Sequence, residues 1–237
     1  MISVKEKVAY GLGDTASNFV FQTVILFLTF YYTDVVGLNP VTVGSIFLLV
    51  RLIDAVTDPL MGSLADKTRT RWGAYRPYLL WMALPFALIS VIAFTTPDTD
   101  YNGKLIYAIA SYVLLMLMYT AINIPYSALG GVITASPLER VSVQSYRFVF
   151  AMLGGLIVSL CTLPMVNWYG AGNDARGYQL TMLTMGLVGM VLFLLCFAGT
   201  RERVLPADGP PSPVREQLKA VWHNDQCRIL CIVSMVL

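Results

Sequence analysis

Residues 41–64 read VTVGSIFLLVRLIDAVTDPLMGSL, an apolar block with one arginine and two aspartates inside it. A helix of roughly 20 mainly apolar residues crosses the hydrocarbon core of a bilayer, which is about 30 Å thick. This block is therefore long enough to span a membrane. Similar blocks centre near Leu26, Leu88, Leu114, Leu156 and Val188. The sequence predicts an all-α membrane protein in which residues 1–200 form a bundle of six spanning helices.

The composition also favours a membrane protein. Of the 237 residues, 57% are hydrophobic and 13% are charged, and the apolar residues come in long blocks instead of amphipathic stripes. The net charge of +2 reflects basic residues in the loops, and no basic patch predicts a nucleic-acid partner. The four cysteines lack the spacing of a zinc site or a disulfide framework. Lipid is the expected surrounding, and no cofactor or structural metal is expected.

The end of the sequence departs from the block pattern. Residues 201–227 contain several prolines, followed by an apolar stripe at helical spacing that Ser212 would cap. Two interpretations remain open for this cytoplasmic linker, a short amphipathic surface helix or a solvated connection. Residues 228–237 predict the start of a seventh span, which stops after about nine residues of the roughly 20 needed.

Lysine and arginine accumulate in alternate loops. A cytoplasmic N-terminus places on the inside Lys5, Lys67, Arg71, Arg140 and Arg203, among others, and leaves outside only Lys104 and Arg176. Cytoplasmic loops carry the excess of basic residues in membrane proteins. No cleavable signal pattern follows Met1, so the first span is expected to remain. The sequence predicts a multi-pass protein with a cytoplasmic N-terminus.

Three charged residues, Arg51, Asp54 and Asp58, interrupt the second span and share one helical face. A charge at the centre of a span costs about 2.5 to 3.5 kcal/mol on the insertion scale. One interpretation is a buried ion pair that only fixes helix packing. The other is a functional site, because one arginine cannot neutralise two aspartates and the surplus carboxylate needs a proton or a metal cation. The surplus charge favours the functional interpretation.

Polar side chains in other spans lie at a comparable depth. Asp14 and Asn18 in the first span and Asn123 in the fourth lie about 5 to 10 residues from the predicted cytoplasmic ends, as Asp58 does, or roughly 8 to 15 Å. We expect these residues to share one cavity.

Hydroxyl and aromatic side chains surround Asn123 in the fourth span, namely Tyr119, Thr120 and Tyr126. Such groups bind sugar hydroxyls and ring faces, although each of them could instead pack between helices. Pro125 is expected to break the backbone pairing locally. Taken together, the polar groups predict a binding cavity for a small polar molecule.

Five motifs occur in order along the chain: YGLGD at 10–14, YTDVVG at 32–37, RLIDAVTDP at 51–59, RWG at 71–73 and NIPY at 123–126. In sequence and spacing they resemble the glycoside, pentoside and hexuronide cation symporters, the relatives of the melibiose carrier. The resemblance implies a major-facilitator fold of two six-helix bundles, of which this chain holds the N-terminal one plus a truncated seventh span. It also implies symport of a sugar with H⁺ or Na⁺ across the bacterial inner membrane.

The same resemblance assigns roles to individual residues. Asp54 and Asp58 would be the cation-site carboxylates, and Thr120 is a candidate oxygen ligand. The sugar-facing side of the site would hold Asn18, Asn123 and Arg147. The pattern of polar and aromatic side chains in the spans adds the other candidate substrate-binding residues, Asp14, Arg51, Tyr119 and Tyr126. The residues assigned to the gating loop after the second span are Gly62, Asp66 and Arg69.

Within that family the sequence differs from the melibiose carrier at three positions. Asn18 and Asn123 stand where that carrier has aspartates, and Ala128 replaces its stacking aromatic residue. The sequence therefore resembles carriers of pentosides, xylosides or glucuronides more than it resembles the melibiose carrier.

Three other functional classes are compatible with a membrane protein of this kind to different degrees. A membrane enzyme is not expected, since the single histidine, His223, has no partner pattern for catalysis. A channel or structural membrane subunit would also tolerate charges within a span. The third is a truncated and inactive piece of a symporter, because transporter sites lie between two repeats and the chain contains one.

Overall fold

The computed structural model describes residues 2–204. Its helices are α1 (Val4–Thr23), α2 (Pro40–Lys67), α3 (Arg76–Ala93), α4 (Tyr101–Val132), α5 (Pro137–Gly170) and α6 (Asp174–Gly199). The predicted all-α membrane fold is confirmed within this range. Met1, most of the linker predicted over 201–227 and the start of the seventh span over 228–237 lie outside the described residues.

The first span is a helix with an irregular second half. α1 ends at Thr23, and two π-helical segments follow at Val24–Leu28 and Tyr31–Val35, joined by two further helical residues. Five helices, α2 to α6, are each long and apolar enough to cross a membrane. α1 carries Lys5, Glu6, Lys7 and Asp14, and its apolar length continues into the π-helical segments. The first span is completed by that continuation.

Side-chain caps begin most of the helices in the described range. The capping side chains accept backbone N–H bonds at the starts of α1, α2, α4, α5 and α6 and belong to Ser3, Asn39, Asp100, Ser136 and Asn173. Four helices contain an internal proline, yet α4 continues through Pro125 to Val132. The proline therefore removes one N–H from the helical ladder and does not end the helix.

α3 is the exception, because its cap comes from a distant part of the chain. Glu202, which follows α6, accepts hydrogen bonds of 2.8, 2.8 and 2.9 Å from the backbone N–H groups of Ala74, Tyr75 and Arg76. A carboxylate at a helix N-terminus satisfies unpaired donors and opposes the helix dipole. Glu202 thus fastens the α2–α3 loop to the end of α6.

Helix ends meet at two opposite levels. At one level, the Arg203 guanidinium forms a bidentate ion pair with Glu6 of α1 at 2.7 and 2.8 Å. The backbone N–H of Arg203 donates to Val132 O at the end of α4. At the other level, Tyr31 bonds Thr96 after α3, and the N–H of Asn39 donates to the Tyr101 hydroxyl of α4. The loops rich in lysine and arginine therefore lie together at the first level, as the alternation along the sequence predicts.

The helices pack unevenly. α1 packs on α5 and α6, and α3 packs on α4 and α6, whereas α2 packs mainly on α4. α2 and α5 consequently present long apolar faces outward, illustrated by Leu52, Val56, Met152 and Leu160, each more than 60% exposed. One side of α2 faces α4, and that side carries the two aspartates.

Candidate functional site

A cavity of about 150 Å³ lies between α1, α2 and α4. Its lining residues are Phe21 from α1, Arg51, Asp54 and Asp58 from α2, and Met116, Tyr119, Thr120, Asn123 and Ile124 from α4. The spacing of three and four residues along α2 brings its charged side chains to this cavity. Six of the thirteen residues predicted for the site meet here, and they include both aspartates.

The two aspartates differ in their hydrogen bonding. The Thr120 hydroxyl donates to Asp58 Oδ1 at 2.8 Å, so this carboxylate joins α2 to α4. Asp54 Oδ1 is buried and has no hydrogen-bond partner within the described range, residues 2–204. A buried carboxylate oxygen without a partner is costly and is uncommon in folded proteins. The pair offers an acceptor group that no side chain of the described range satisfies.

Arg51 lies beside the aspartates without pairing with them. Its side chain lines the cavity, but the residue is exposed and forms no ion pair within 4.0 Å of Asp54 or Asp58. The sequence predicts that Arg51 balances a carboxylate, and that contact is not formed. Among residues 2–204, the Thr120 hydroxyl is thus the one direct hydrogen-bond partner of the two carboxylates.

An aromatic pair forms one wall of the cavity. The rings of Phe21 on α1 and Tyr119 on α4 stack with centroids 5.0 Å apart and an interplanar angle of 13°. Tyr119 is among the predicted site residues, whereas Phe21 is not. The available signal was its position three residues after Asn18, which places it near the same face of the first span.

Asn18 and Asn123 are not in one cavity, contrary to the sequence prediction. Asn123 lines the cavity described above, whereas Asn18 lines a groove of about 420 Å³ between α1 and α5, together with Gln22 and Gly155. The reason is rotational, because Asn18 lies on the side of α1 that faces α5 and Phe21 lies on the side that faces α4. The two polar sites thus lie on neighbouring faces of α1.

Asp14 and Arg147 form an ion pair between α1 and α5. Arg147 Nε donates to Asp14 Oδ2 at 3.1 Å, and Arg147 Nη2 donates to the Ser127 hydroxyl of α4 at 3.3 Å. The guanidinium also lies over the ring of Tyr126, 5.1 Å from its centroid. Asp14 therefore neutralises the charge of Arg147, a function that the sequence does not indicate.

Tyr126, which the sequence predicts as a substrate-binding residue, packs between α1 and α4 in this structure. Its side chain is fully buried and stacks on Tyr10 with centroids 4.8 Å apart. The Tyr126 hydroxyl donates to Tyr10 O at 2.7 Å, and the Tyr10 hydroxyl donates to Tyr126 O at 3.3 Å. These reciprocal bonds satisfy both hydroxyl donors and join α1 to α4.

Two of the predicted loop residues, Asp66 and Arg69, lie at the end of α2. The Tyr75 hydroxyl donates to Asp66 Oδ1 at 2.8 Å, and Arg69 donates to the carbonyl oxygens of Asp66 and Thr68. Burial raises the pKa of the Tyr75 hydroxyl, and the bond to Asp66 raises it further, so Tyr75 stays protonated as a donor. Gly62 lies inside α2, where a Cβ atom would meet only Ile124 at 3.9 Å.

The sequence is similar to known membrane transporters. A family model described as MFS/sugar transport protein matches residues 9–236. The chain is 46% identical to the inner membrane symporter YicJ of Escherichia coli over 99% of its length. It is 37% identical to the isoprimeverose transporter of Lactiplantibacillus pentosus over 100% of its length, and 34% identical to a glucuronide carrier protein homolog of Escherichia coli over 99%.

The matches cover these relatives only in part. The chain spans about half the length of the curated relatives it matches, 51% of YicJ and 50% of the isoprimeverose transporter. The family consists of transporters and not of enzymes. With its membrane-spanning helices and this match over nearly all its residues, the chain is a multi-pass membrane protein that belongs to the MFS/sugar transport family of glycoside–pentoside–hexuronide symporters.

Proposed function

We propose that this chain forms the N-terminal bundle of a secondary transporter that imports a glycoside or pentoside sugar together with H⁺ or Na⁺. The observation that carries the proposal is the buried, unpartnered Oδ1 of Asp54 beside Asp58 in the cavity between α2 and α4. Two carboxylates on one face of a span oppose insertion, so their presence favours a function over simple packing.

In this proposal Asp54 and Asp58 bind the coupling ion, with the Thr120 hydroxyl as a third oxygen group. Oxygen ligands from two carboxylates and a hydroxyl suit Na⁺, whereas a carboxylate that burial forces to accept a proton suits H⁺. Either ion removes a negative charge from the cavity. The neutralised bundle is then able to close over its substrate at lower cost, which couples the ion to movement.

The sugar is proposed to bind on the side of α1 that faces α5, beside Asn18 and the Asp14–Arg147 pair. The groove there measures about 420 Å³, within the range of roughly 300 to 1,000 Å³ for small-molecule sites. The cation cavity, at about 150 Å³, is below that range. Asn123 and Tyr119 line the smaller cavity, so their proposed contribution is to the ion side of the site.

The proposed location is the bacterial inner membrane, with the N-terminus in the cytoplasm. The grouping of basic loop residues such as Lys67, Arg140 and Arg203 at one level of the bundle supports this orientation. The name of the relative YicJ, an inner membrane symporter, supports the location.

A second candidate is favoured by the half-length match to the relatives. Transport by alternating access needs two bundles that rock against each other around a midplane site. We propose that residues 1–237 expressed alone insert in the membrane and accumulate no sugar. Uphill sugar uptake by residues 1–237 in cells without a related transporter would contradict this and indicate assembly of two copies.

The experiment for the main proposal is uptake of labelled methyl β-D-xyloside by the full-length gene product under imposed gradients. Accumulation driven by a Na⁺ or a pH gradient supports symport and assigns the ion. Flux that only equilibrates the sugar, whatever the gradient, indicates a channel and contradicts the proposal.

A further inference from the structure

Gln22 extends a row of polar side chains along α1. Asp14, Asn18 and Gln22 recur every four residues and therefore share one helical face. Asn18 Nδ2 donates to Asp14 O at 2.9 Å, and Gln22 Nε2 donates to Asn18 Oδ1 at 3.4 Å. The row faces α5, and two of its members, Asn18 and Gln22, line the α1–α5 groove of about 420 Å³.

The opposite wall of the groove leaves room for the Gln22 amide. Gly155 of α5 faces Gln22, and a Cβ atom at Gly155 would lie 3.6 Å from Gln22 Nε2. One residue earlier, a Cβ atom at Gly154 would lie 3.1 Å from both Asn18 Cβ and Thr15 Cα. The two helices thus touch at Gly154 and open beside Gln22.

The amides do not serve to hold α1 and α5 together. Polar residues between membrane helices often hydrogen-bond across the interface. Here the side-chain bonds of Asn18 and Gln22 stay within α1, and within residues 2–204 no group donates to Gln22 Oε1. A primary amide has two donors and an acceptor oxygen with two lone pairs. Most of the capacity of Gln22 is therefore open toward the groove.

The groove combines this polar wall with apolar ones. Leu26, Met152 and Leu156 line it beside Asn18 and Gln22. A sugar presents both hydroxyl groups, which donate and accept hydrogen bonds, and ring faces built of C–H groups. The groove matches both kinds of surface, whereas a purely apolar ligand or lipid chain would leave the amides unsatisfied.

We infer that Gln22 is a specificity-determining residue of the sugar site, whose side-chain amide binds sugar hydroxyls in the α1–α5 groove one helical turn beyond Asn18. This inference rests on the proposed sugar transport and deepens it. The Asn18 amide and the Gln22 amide then form hydrogen bonds with hydroxyl groups at two positions along the sugar. The cation cavity, which α1 lines with Phe21, is not lined by Gln22.

The first test compares Gln22→Met with the matched variant Gln179→Met in the full-length protein. Methionine keeps the length of the side chain and removes the amide, and Gln179 lies on α6, where it bonds Thr95 instead of the groove. The probes are methyl β-D-xyloside and xylobiose. Loss of one or two hydrogen bonds predicts a sugar affinity lower by about 5- to 10-fold in Gln22→Met. The ion concentration for half-maximal uptake is expected to stay within about twofold of the wild type, because the cation cavity is untouched.

The outcomes separate this inference from the proposed function. Normal accumulation with unchanged affinity for both probes in Gln22→Met overturns the inference and leaves the proposed function standing. Accumulation of neither probe by the wild-type protein overturns both. A parallel loss of affinity in Gln179→Met also overturns the inference, since the effect would then come from general loss of packing.

A second test does not require transport by the methionine variant. Gln22→Cys is placed in a full-length protein without its native cysteines and treated in membranes with a water-soluble maleimide, with Asp98→Cys in the exposed α3–α4 loop as the control. Labelling of position 22 that saturating xylobiose slows, with labelling of position 98 unchanged, supports the inference. Labelling of position 22 that the sugar leaves unchanged, or no labelling there, overturns it.

Discussion

The Thr120 hydroxyl of α4 donates a 2.8 Å hydrogen bond to Asp58 Oδ1 of α2, whereas Asp54 Oδ1 on the same face of α2 has no hydrogen-bond partner in the part of the chain that the structure describes. α2 packs mainly on α4, so this contact lies at the chief attachment of α2 to the rest of the bundle. An ion bound between the two aspartates would change the charge at that attachment. The arrangement provides a physical route from ion binding to movement of α2.

Replacing Asp54 or Asp58 with asparagine in the full-length protein is expected to abolish uphill sugar accumulation, by more than about tenfold. Asparagine cannot supply the negative charge that binds a cation or a proton. The measurement is uptake of labelled methyl β-D-xyloside at equal membrane abundance. Asp98→Asn, at an exposed loop position, is the control and is expected to behave as the wild type. Normal uphill uptake by both variants would refute the assignment of the ion site.

The pairing of Asp14 with Arg147 predicts non-additive effects on stability. Asp14→Asn leaves the half-buried Arg147 guanidinium without its counter-ion. The free energy of unfolding of the full-length protein is therefore expected to fall by about 3 kcal/mol. The double variant Asp14→Asn, Arg147→Gln should lose less than the sum of the single variants, because no unpaired charge remains. Thermal unfolding in detergent measures the three variants. Strict additivity would show that the 3.1 Å contact carries no coupling.

The cap that Glu202 provides for α3 predicts a second stability effect. Glu202→Ala removes the acceptor of three backbone N–H groups and is expected to lower stability by about 1 to 3 kcal/mol. Glu202→Gln keeps an acceptor oxygen and is expected to lower stability less than Glu202→Ala does. Unfolding of the purified protein in detergent compares the two variants. Equal stability of Glu202→Ala and the wild type would mean that water replaces the carboxylate without loss.

The membrane topology is testable with reporter fusions. Fusions after Lys67, Arg140 and Arg203 are expected to report the cytoplasm, and fusions after Asp98 and Asp174 the periplasm, because basic loops remain inside. Reporter activity in intact cells measures each position. A single inverted loop would break the arrangement of six spans.

The number and order of the helices could be predicted from the sequence because apolar length is a strong signal. The aspartates of α2 and the contact with Thr120 were equally accessible, since their positions follow from helical spacing and from the family resemblance. The rotation of each helix about its own axis could not be predicted from the sequence. Asn18 and Asn123 lie at similar depth, yet which side of α1 faces α4 is decided by packing at positions such as Gly13, where a Cβ atom would lie 2.5 Å from Tyr126 Cε2.

Burial and pairing were the other properties hidden in the sequence. The sequence alone predicts Tyr126 as a sugar-binding aromatic residue, because it does not reveal the reciprocal hydrogen bonds with Tyr10. The sequence alone gives no partner for the Asp14 carboxylate, because Arg147, which pairs with it in the fold, lies 133 residues later. The π-helical segments after Thr23 leave no pattern that separates them from an ordinary helix. Long-range contacts determine each of these features.

Coupling through the aspartates of α2 is tested most directly by measuring uptake of labelled methyl β-D-xyloside into inner-membrane vesicles that contain the full-length protein, with Na⁺ and pH gradients imposed separately. We expect accumulation above the outside concentration with one of the two gradients, and loss of that accumulation in Asp58→Asn. Equilibration of the sugar without accumulation under either gradient, in vesicles where the protein is present and folded, would contradict coupling through the aspartates of α2.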